Sequence, residues 1–369
     1  MTHLTYLEAA VVGLVQGVSE MFPVSSLGHS VLIPAIIGGS WARDLNVARP
    51  ESPYLAFIVG LHVATALALL VYFWRDWVRI IGGLFSSVRD RRIVTADQKL
   101  AWMIILATIP VGIVGLGFEH AFRVIFGKPI FAGIFLAVNG VILIAGERYR
   151  TSASLAADAA IASEREPAGA STAERQTPDL RTAELLTADG LAAEGATTGF
   201  LTTGPLTTGP LTTGPPTTAR HSAGGQTPRQ LQEAETIEAD ARVAAMSYPR
   251  AVAIGSAQIL ALLAGISRDG VTMVTGMMSL SRADAARFAF LLATPVILAA
   301  GALKIPDLLG PLGHGIHGQI LLGSVLSGIG AYLSVRFLLR YLRTRTLTPF
   351  GVYCLIAGVA SVIYLGLVK

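Results

Sequence analysis

The chain has 369 residues, of which 52% are hydrophobic and 14% charged, with a mean hydropathy of +0.59. Soluble domains carry roughly 25% charged residues. The composition therefore excludes a disordered chain, a disulfide scaffold and an ordinary cytosolic enzyme, and points to an integral membrane protein. The net charge of +4 hides a split. Residues 152–241 hold 12 of the 24 acids but only 5 of the 28 Lys and Arg, so the rest carries 23 basic against 12 acidic residues, a balance of +11. That excess lies at the ends of apolar segments, as beside anionic head groups, and does not indicate nucleic acid. A single cysteine, Cys354, leaves the redox compartment unreadable. The start, Met1-Thr2-His3-Leu4, has no cationic region, so no cleavable signal peptide is expected.

In chain order, the apolar region 4–38 comes first and is broken by Ser19-Glu20-Met21-Phe22-Pro23-Val24-Ser25-Ser26-Leu27-Gly28-His29. Helices long enough to cross about 30 Å of hydrocarbon are predicted at 55–74, 101–118 and 129–146. Residues 151–246 follow, including Leu201-Thr202-Thr203-Gly204-Pro205 repeated through Pro215. This composition buries too little apolar surface for a core, so a disordered cytoplasmic insert is predicted, with a short helix around 228–246. A second broken region, 251–281, is interrupted by Ala264-Gly265-Ile266-Ser267-Arg268-Asp269-Gly270-Val271-Thr272. Helices at 286–304, 319–338 and 349–367 complete the chain.

Irregular, charged backbone at membrane depth is tolerated only inside protein or along a wet cavity. Both broken regions are therefore read as re-entrant helical hairpins. The expected fold is an all-α polytopic membrane protein with an inverted-topology repeat over 1–150 and 247–369, each half a hairpin plus three transmembrane helices. Little residue identity is visible between the halves, so the repeat rests on topology. Basic residues after 55–74, at both ends of the insert and between the last two helices place those loops in the cytoplasm. The first hairpin then enters from outside and the second from the cytoplasm, and their tips can meet near the midplane.

Gln16 and Glu20 are four apart and share a helix face. An ionised carboxylate in a membrane needs a cation, a donor or water. Ser25, Ser26 and His29 follow Pro23, which ends the helix. An acid, two hydroxyls and an imidazole within ten residues are the parts for nucleophilic or acid–base chemistry. One serine can instead cap the returning helix. Arg268, flanked by Ser267 and Asp269 with Thr272 beyond, offers a planar fork for phosphate oxygens, and a helix starting after Gly270 adds backbone N–H groups. The bland alternative is an ion pair of Arg268 with Glu20 or Asp269. Facing each other, the two tips make a site for a phosphorylated lipid, and Glu20 with phosphate oxygens suits a hard divalent cation, Mg²⁺ or Ca²⁺. His62 is expected to be internally hydrogen-bonded, and Arg282 and Arg287 structural or lipid-facing. Phe73, Trp74 and Trp77 are read as an interfacial belt.

These motifs resemble the bacitracin-resistance family of undecaprenyl-diphosphatases, with its (E/Q)xxxE, PxSSxGH and PGxSRSxxT stretches. Here they read Gln16-Gly17-Val18-Ser19-Glu20, Pro23 to His29, and Ala264 to Thr272. Gly255 to Gln258, Ser281-Arg282, Phe288 to Leu292, Ala107 to Pro110 and Gly146-Glu147-Arg148 also resemble the family, so the likeness covers all but the insert. Ala264 stands where the family has proline, and Asp269 where it has serine. The resemblance implies a bacterial plasma-membrane enzyme with its site facing outside. It would hydrolyse undecaprenyl diphosphate to undecaprenyl phosphate and inorganic phosphate, recycle the carrier for cell-wall synthesis and confer bacitracin resistance. Glu20 would bind metal or activate the attacking group, Ser26 or water would attack, and His29 would be acid or base. Arg268, Ser267 and Thr272 would hold the pyrophosphate, with Gln16 and Ser25 supporting. The expected partners are a polyprenyl diphosphate and membrane lipids, with a homodimer left open. The rivals are a lipid-phosphate flippase built on the same repeat and a non-catalytic paralogue.

Overall fold

A computed structural model describes residues 4–45, 53–126, 128–165, 227–309 and 315–368. Among them there is no β-strand, and the helices run in the order α1 (Tyr6–Met21), α2 (Ser26–Ile37), α3 (Gly39–Asp44), α4 (Pro53–Tyr72), α5 (Trp74–Asp90), α6 (Ala96–Phe126), α7 (Pro129–Arg165), α8 (Pro228–Ala244) and α9 (Tyr248–Ser256). A 3₁₀ turn (Ala257–Leu262) follows, then α10 (Arg268–Gly276), α11 (Arg282–Leu309), α12 (His317–Tyr341) and α13 (Thr348–Val368). Among the described residues five helices are individually long and apolar enough to span a membrane, and counting the bent pair α4–α5 as one span brings the number to six. The chain is a multi-pass membrane protein.

The two broken regions are short helices joined by tight turns. The first hairpin is α1 and α2, split by Phe22 to Ser25. The second is α9, the 3₁₀ turn and α10, split by Leu263 to Ser267. Around them α1 packs on α12, α12 on α4, α4 on α11, and α7 on α13. Small residues permit the close approach, as usual between membrane helices. A Cβ on Gly140 of α7 would stand 2.6 Å from the Leu355 nitrogen of α13.

Two segments differ from the sequence-based expectation. The loop after α4 is not a loop: the chain bends by 83° and continues as α5. Asp76, Ile80, Gly83 and Ser87 of α5 are buried, while Trp74, Val78, Ile81, Phe85 and Val88 form an exposed apolar stripe. That pattern belongs to a helix lying along a membrane interface. Phe73 at the bend is buried beside Tyr72, Phe290 and the Arg287 guanidinium, so it is core rather than belt.

The predicted insert is helical at both ends, the second being the helix expected around 228–246. α7 continues to Arg165, and α8 occupies 228–244 behind a capping box in which the Gln230 N–H donates to Thr227 Oγ1 at 3.4 Å. Residues 166–226, with the Leu-Thr-Thr-Gly-Pro repeats, lie outside the described residues. α8 is bound down by charge. Asp240 accepts from Arg79 at 2.6 Å and from Arg287 at 2.8 and 3.1 Å, and Arg242 donates from Nε and Nη2 to the two Asp284 oxygens at 2.8 and 2.9 Å. Glu233 meets Arg75 and Glu235 meets Arg343 at the rim. Three acids of α8, Glu233, Glu235 and Asp240, thus dock onto arginines elsewhere in the chain.

Candidate active site where the two hairpin tips meet

The tips are fastened to each other by backbone groups. Ser25, at φ 67°, is the N-cap of α2, and its Oγ accepts from the Gly28 N–H and from the Gly265 N–H of the opposite tip, each at 3.2 Å. Ser267 caps α10 in the same way, accepting from the Gly270 N–H at 3.1 Å. Asn139 of α7 ties both tips: its Nδ2 donates to the Pro23 carbonyl and its Oδ1 accepts from the Ser267 N–H, both at 3.0 Å. A Cβ on Gly28 would lie 2.9 Å from the Gly265 Cα, so glycine is needed where the turns cross.

This scaffold brings Glu20 and Arg268 together. Glu20 is 6% exposed, and its Oε1 accepts from Arg268 Nη2 in a close ion pair. Its Oε2 accepts a close hydrogen bond from the Ser26 hydroxyl and a 2.9 Å bond from Gln16 Nε2. His62 of α4 stands 3.4 Å from the same oxygen and 3.2 Å from the Gln16 amide nitrogen. Ser30 donates to Gln16 Oε1 at 3.4 Å. His62 is anchored through Nδ1 to the Ile58 carbonyl at 2.9 Å, which leaves Nε2 turned toward the acid.

The other residues singled out from sequence are placed differently. Thr272 donates to the Arg268 carbonyl at 2.7 Å, one turn back along α10. The hydroxyls of Ser25 and Ser267 are likewise occupied as helix caps. His29 uses Nδ1 on the Ser25 carbonyl at 2.7 Å and Nε2 on the Tyr353 hydroxyl at 2.8 Å, with the rings stacked. Arg268 Nε and both Asp269 oxygens are buried with no partner among the described residues. Sequence reasoning gave His62 little weight and passed over Asn139 and Tyr353. A lone asparagine inside the apolar run 129–146 was the available signal, because polar side chains at that depth are seldom idle.

Apolar helices closed around an acid–arginine pair, held where two broken hairpins touch, define a polytopic membrane protein with an intramembrane polar centre. The family described as "Bacitracin resistance protein BacA" matches residues 9–171 and 226–360, resuming at the foot of α8. The undecaprenyl-diphosphatase of Mycolicibacterium paratuberculosis is 51% identical over 366 residues, 99% of each chain. Undecaprenyl-diphosphatase 1 of Frankia casuarinae is 51% identical over 385 positions covering all of both chains. Undecaprenyl-diphosphatase 2 of Burkholderia orbicola is 34% identical over 348 residues, 94% of this chain and 92% of that one. The chain belongs to the bacitracin resistance protein BacA family.

Proposed function

We propose that this chain hydrolyses undecaprenyl diphosphate to undecaprenyl phosphate and inorganic phosphate. The observation that carries this reading is the contact of one carboxylate, Glu20, with both the Ser26 hydroxyl and the Arg268 guanidinium. The hydrogen bond supplies a base for a hydroxyl at neutral pH. The ion pair supplies the charge that a crowded anionic reactant needs.

In this reading the terminal phosphate takes the place of Glu20 on Arg268, whose unpartnered Nε is a donor awaiting an anion. Ser26 Oγ attacks the terminal phosphorus as Glu20 accepts its proton. The bond to the bridging oxygen breaks, and undecaprenyl phosphate leaves. Water then cleaves the phosphoserine, releasing phosphate and restoring Ser26. Gln16 and His62 hold the carboxylate in register. His29, one turn beyond Ser26 and paired with Tyr353, would move a proton at Nε2. Ser25, Ser267 and Thr272 shape the turns and present the N–H groups of α2 and α10.

A divalent cation fits this donor set in a limited way. Among the described residues no three His, Cys, Asp or Glu gather as a metal site. Mg²⁺ is commonly held by one or two carboxylates together with substrate phosphates. Glu20 would hold a cation that arrives with the diphosphate, and the ion would neutralise phosphate charge.

The inverted repeat is supported by a register that the caps expose. Shifting 5–28 by 242 residues pairs the N-caps Thr5 with Ser247 and Ser25 with Ser267, and matches Tyr6, Ala9, Gly13, Gln16 and Gly28 with Tyr248, Ala251, Gly255, Gln258 and Gly270. Gly13 abuts α12 where Gly255 abuts α6, the corresponding helix of the other half. The reading that the site faces outside, with α5 and α8 in the cytoplasm, is supported by the gathering of arginines 75, 79, 242, 282, 287 and 343 on the side of α8. A groove of about 430 Å³ between α7 and α13, lined by Ile134, Val138, Val141, Leu355 and Val359, suits an isoprenoid tail. Removing the diphosphate form of the carrier would also withdraw the target of bacitracin.

The test is phosphate release from undecaprenyl diphosphate by purified protein, beside Glu20→Gln, Ser26→Ala and Arg268→Ala. Release by wild type that all three variants abolish while remaining folded is the expected result. Movement of lipid phosphate across vesicles without phosphate release would overturn the reading in favour of a flippase. Release retained by Ser26→Ala would move the attack to water.

A further inference from the structure

Buried side-chain polar atoms without a partner are uncommon, and each calls for an explanation. Among the described residues such atoms occur on Trp77, Gln258, Arg268 and Asp269. Arg268 and Asp269 are consecutive, and both belong to the first turn of α10 at the tip of the second hairpin. Asp269 is 1% exposed, and neither of its oxygens receives a hydrogen bond. Its charged neighbours are Arg268 and Glu20. Arg268 is turned away, its Nη2 committed to Glu20. The tip thus sets two carboxylates against one guanidinium.

A buried carboxylate in that position is either neutral or matched by a cation that the chain itself does not supply. Both Glu20 oxygens already accept, from Arg268, Ser26 and Gln16, and one is released only when a phosphate replaces it on Arg268. Asp269 has all its lone pairs open. The unpartnered donor on Arg268 and the unpartnered acceptors on Asp269 are complementary to one ligand, a diphosphate carrying a hard divalent cation. Oxygen anions take the guanidinium, and the cation takes the carboxylate.

We propose that the Asp269 carboxylate is a ligand of the divalent cation that enters with the diphosphate, and that the second hairpin therefore supplies both the anion clamp and an oxygen donor for the metal. This rests on the phosphatase reading only for the source of the diphosphate. It assigns a role to a residue that departs from the serine of the family motif. It also moves the first metal contact from Glu20 to Asp269.

The experiment uses the full chain in detergent micelles, with Mn²⁺ as the cation and methylenediphosphonate as a diphosphate that is not hydrolysed. Bound Mn²⁺ is read from the loss of the free-ion electron paramagnetic resonance signal. Wild type should bind Mn²⁺ with the diphosphonate present. Asp269→Asn and Asp269→Ser should each weaken that binding about tenfold or more. Both should also raise the melting temperature of the metal-free protein, because an unmatched buried carboxylate is removed. If either folded variant holds Mn²⁺ within about twofold of wild type, less than 0.5 kcal/mol, Asp269 is not a ligand. No Mn²⁺ binding by wild type would equally overturn the proposal. Phosphate release from the lipid is measured on the same preparations. Its absence in wild type that still binds Mn²⁺ through Asp269 would sink the phosphatase reading and leave this one standing.

Discussion

Asp240→Asn tests whether α8 is part of the folded protein or an appendage of the insert. Asp240 is 1% exposed and accepts three hydrogen bonds from two guanidiniums, at 2.6 Å from Arg79 and at 2.8 and 3.1 Å from Arg287. The substitution keeps the shape, removes the charge and leaves one acceptor. Breaking a buried ion pair by neutralising one partner costs about 3–5 kcal/mol. The low end applies here, because Asp76 still contacts Arg79 at 2.6 Å and Arg287 at 3.1 Å. About 3 kcal/mol at roughly 2–4 °C per kcal/mol gives a fall of about 6–12 °C in melting temperature. The assay is thermal unfolding in detergent followed by intrinsic fluorescence, with the scan rate fixed because membrane proteins often unfold irreversibly. Arg75→Ala is the comparison. Its partner Glu233 is half-exposed, so that pair is worth about 1 kcal/mol or less. If Asp240→Asn melts within about 2 °C of wild type, the charge clamp does not hold α8, and the insert begins where its composition does.

Gly255→Ala should destabilise by about 1–3 kcal/mol, the cost of overpacking, because its Cβ would lie 2.7 Å from the Ala107 Cβ of α6. Gly13→Ala should behave alike at its matching position, and Gly112→Ala, with nothing within 4 Å, should be neutral. A neutral Gly255→Ala would contradict the packing of α9 on α6. His29→Ala should lower the rate of phosphate release about 100-fold, the lower range for general acid–base work, whereas Tyr353→Phe, which removes one hydroxyl from Nε2, should cost less than about tenfold. Equal losses in melting temperature with turnover unchanged would make the His29–Tyr353 pair a structural strut.

What was legible in the sequence was whatever depends on the membrane as solvent. Runs of apolar residues pointed to the spans, and Glu20 and Arg268 could not stand at that depth without partners; their ion pair stood in the sequence only as the alternative to a phosphate cradle, with Asp269 an equal candidate for Arg268. The extent of α5 was not legible by apolar run length, because its stripe is interrupted by Arg75, Asp76 and Arg79. Only the spacing of Trp74, Val78, Ile81, Phe85 and Val88 carries it. α8 was expected as a short helix around 228–246, but its docking onto the rest of the protein was not legible. It is polar, and its stability comes from Asp240 and Arg242 reaching partners far away in the chain. The division of labour among hydroxyls was also out of reach. Ser25 and Ser26 are adjacent and identical in kind, yet one accepts from two backbone N–H groups and the other donates to Glu20. Turn geometry decides which of them caps the turn and which faces the acid.

The ion pair at the centre has a consequence for how such a site discriminates. Arg268 and Glu20 satisfy each other in the absence of substrate, so neither is exposed to lipid as a bare charge. A ligand must replace a buried carboxylate on the guanidinium and must leave that carboxylate compensated. A monophosphate lipid can do the first with its own oxygens. On the phosphatase reading, a diphosphate arriving with a cation would do both, because the cation's charge would answer the acid that Arg268 had released. Asp269 beside them, with neither oxygen partnered, adds a second buried carboxyl group to the site. Buried ion pairs cost desolvation and are weak sources of stability. On the phosphatase reading, the pair would act as a lock that favours a charge-balanced diphosphate over the carrier monophosphate.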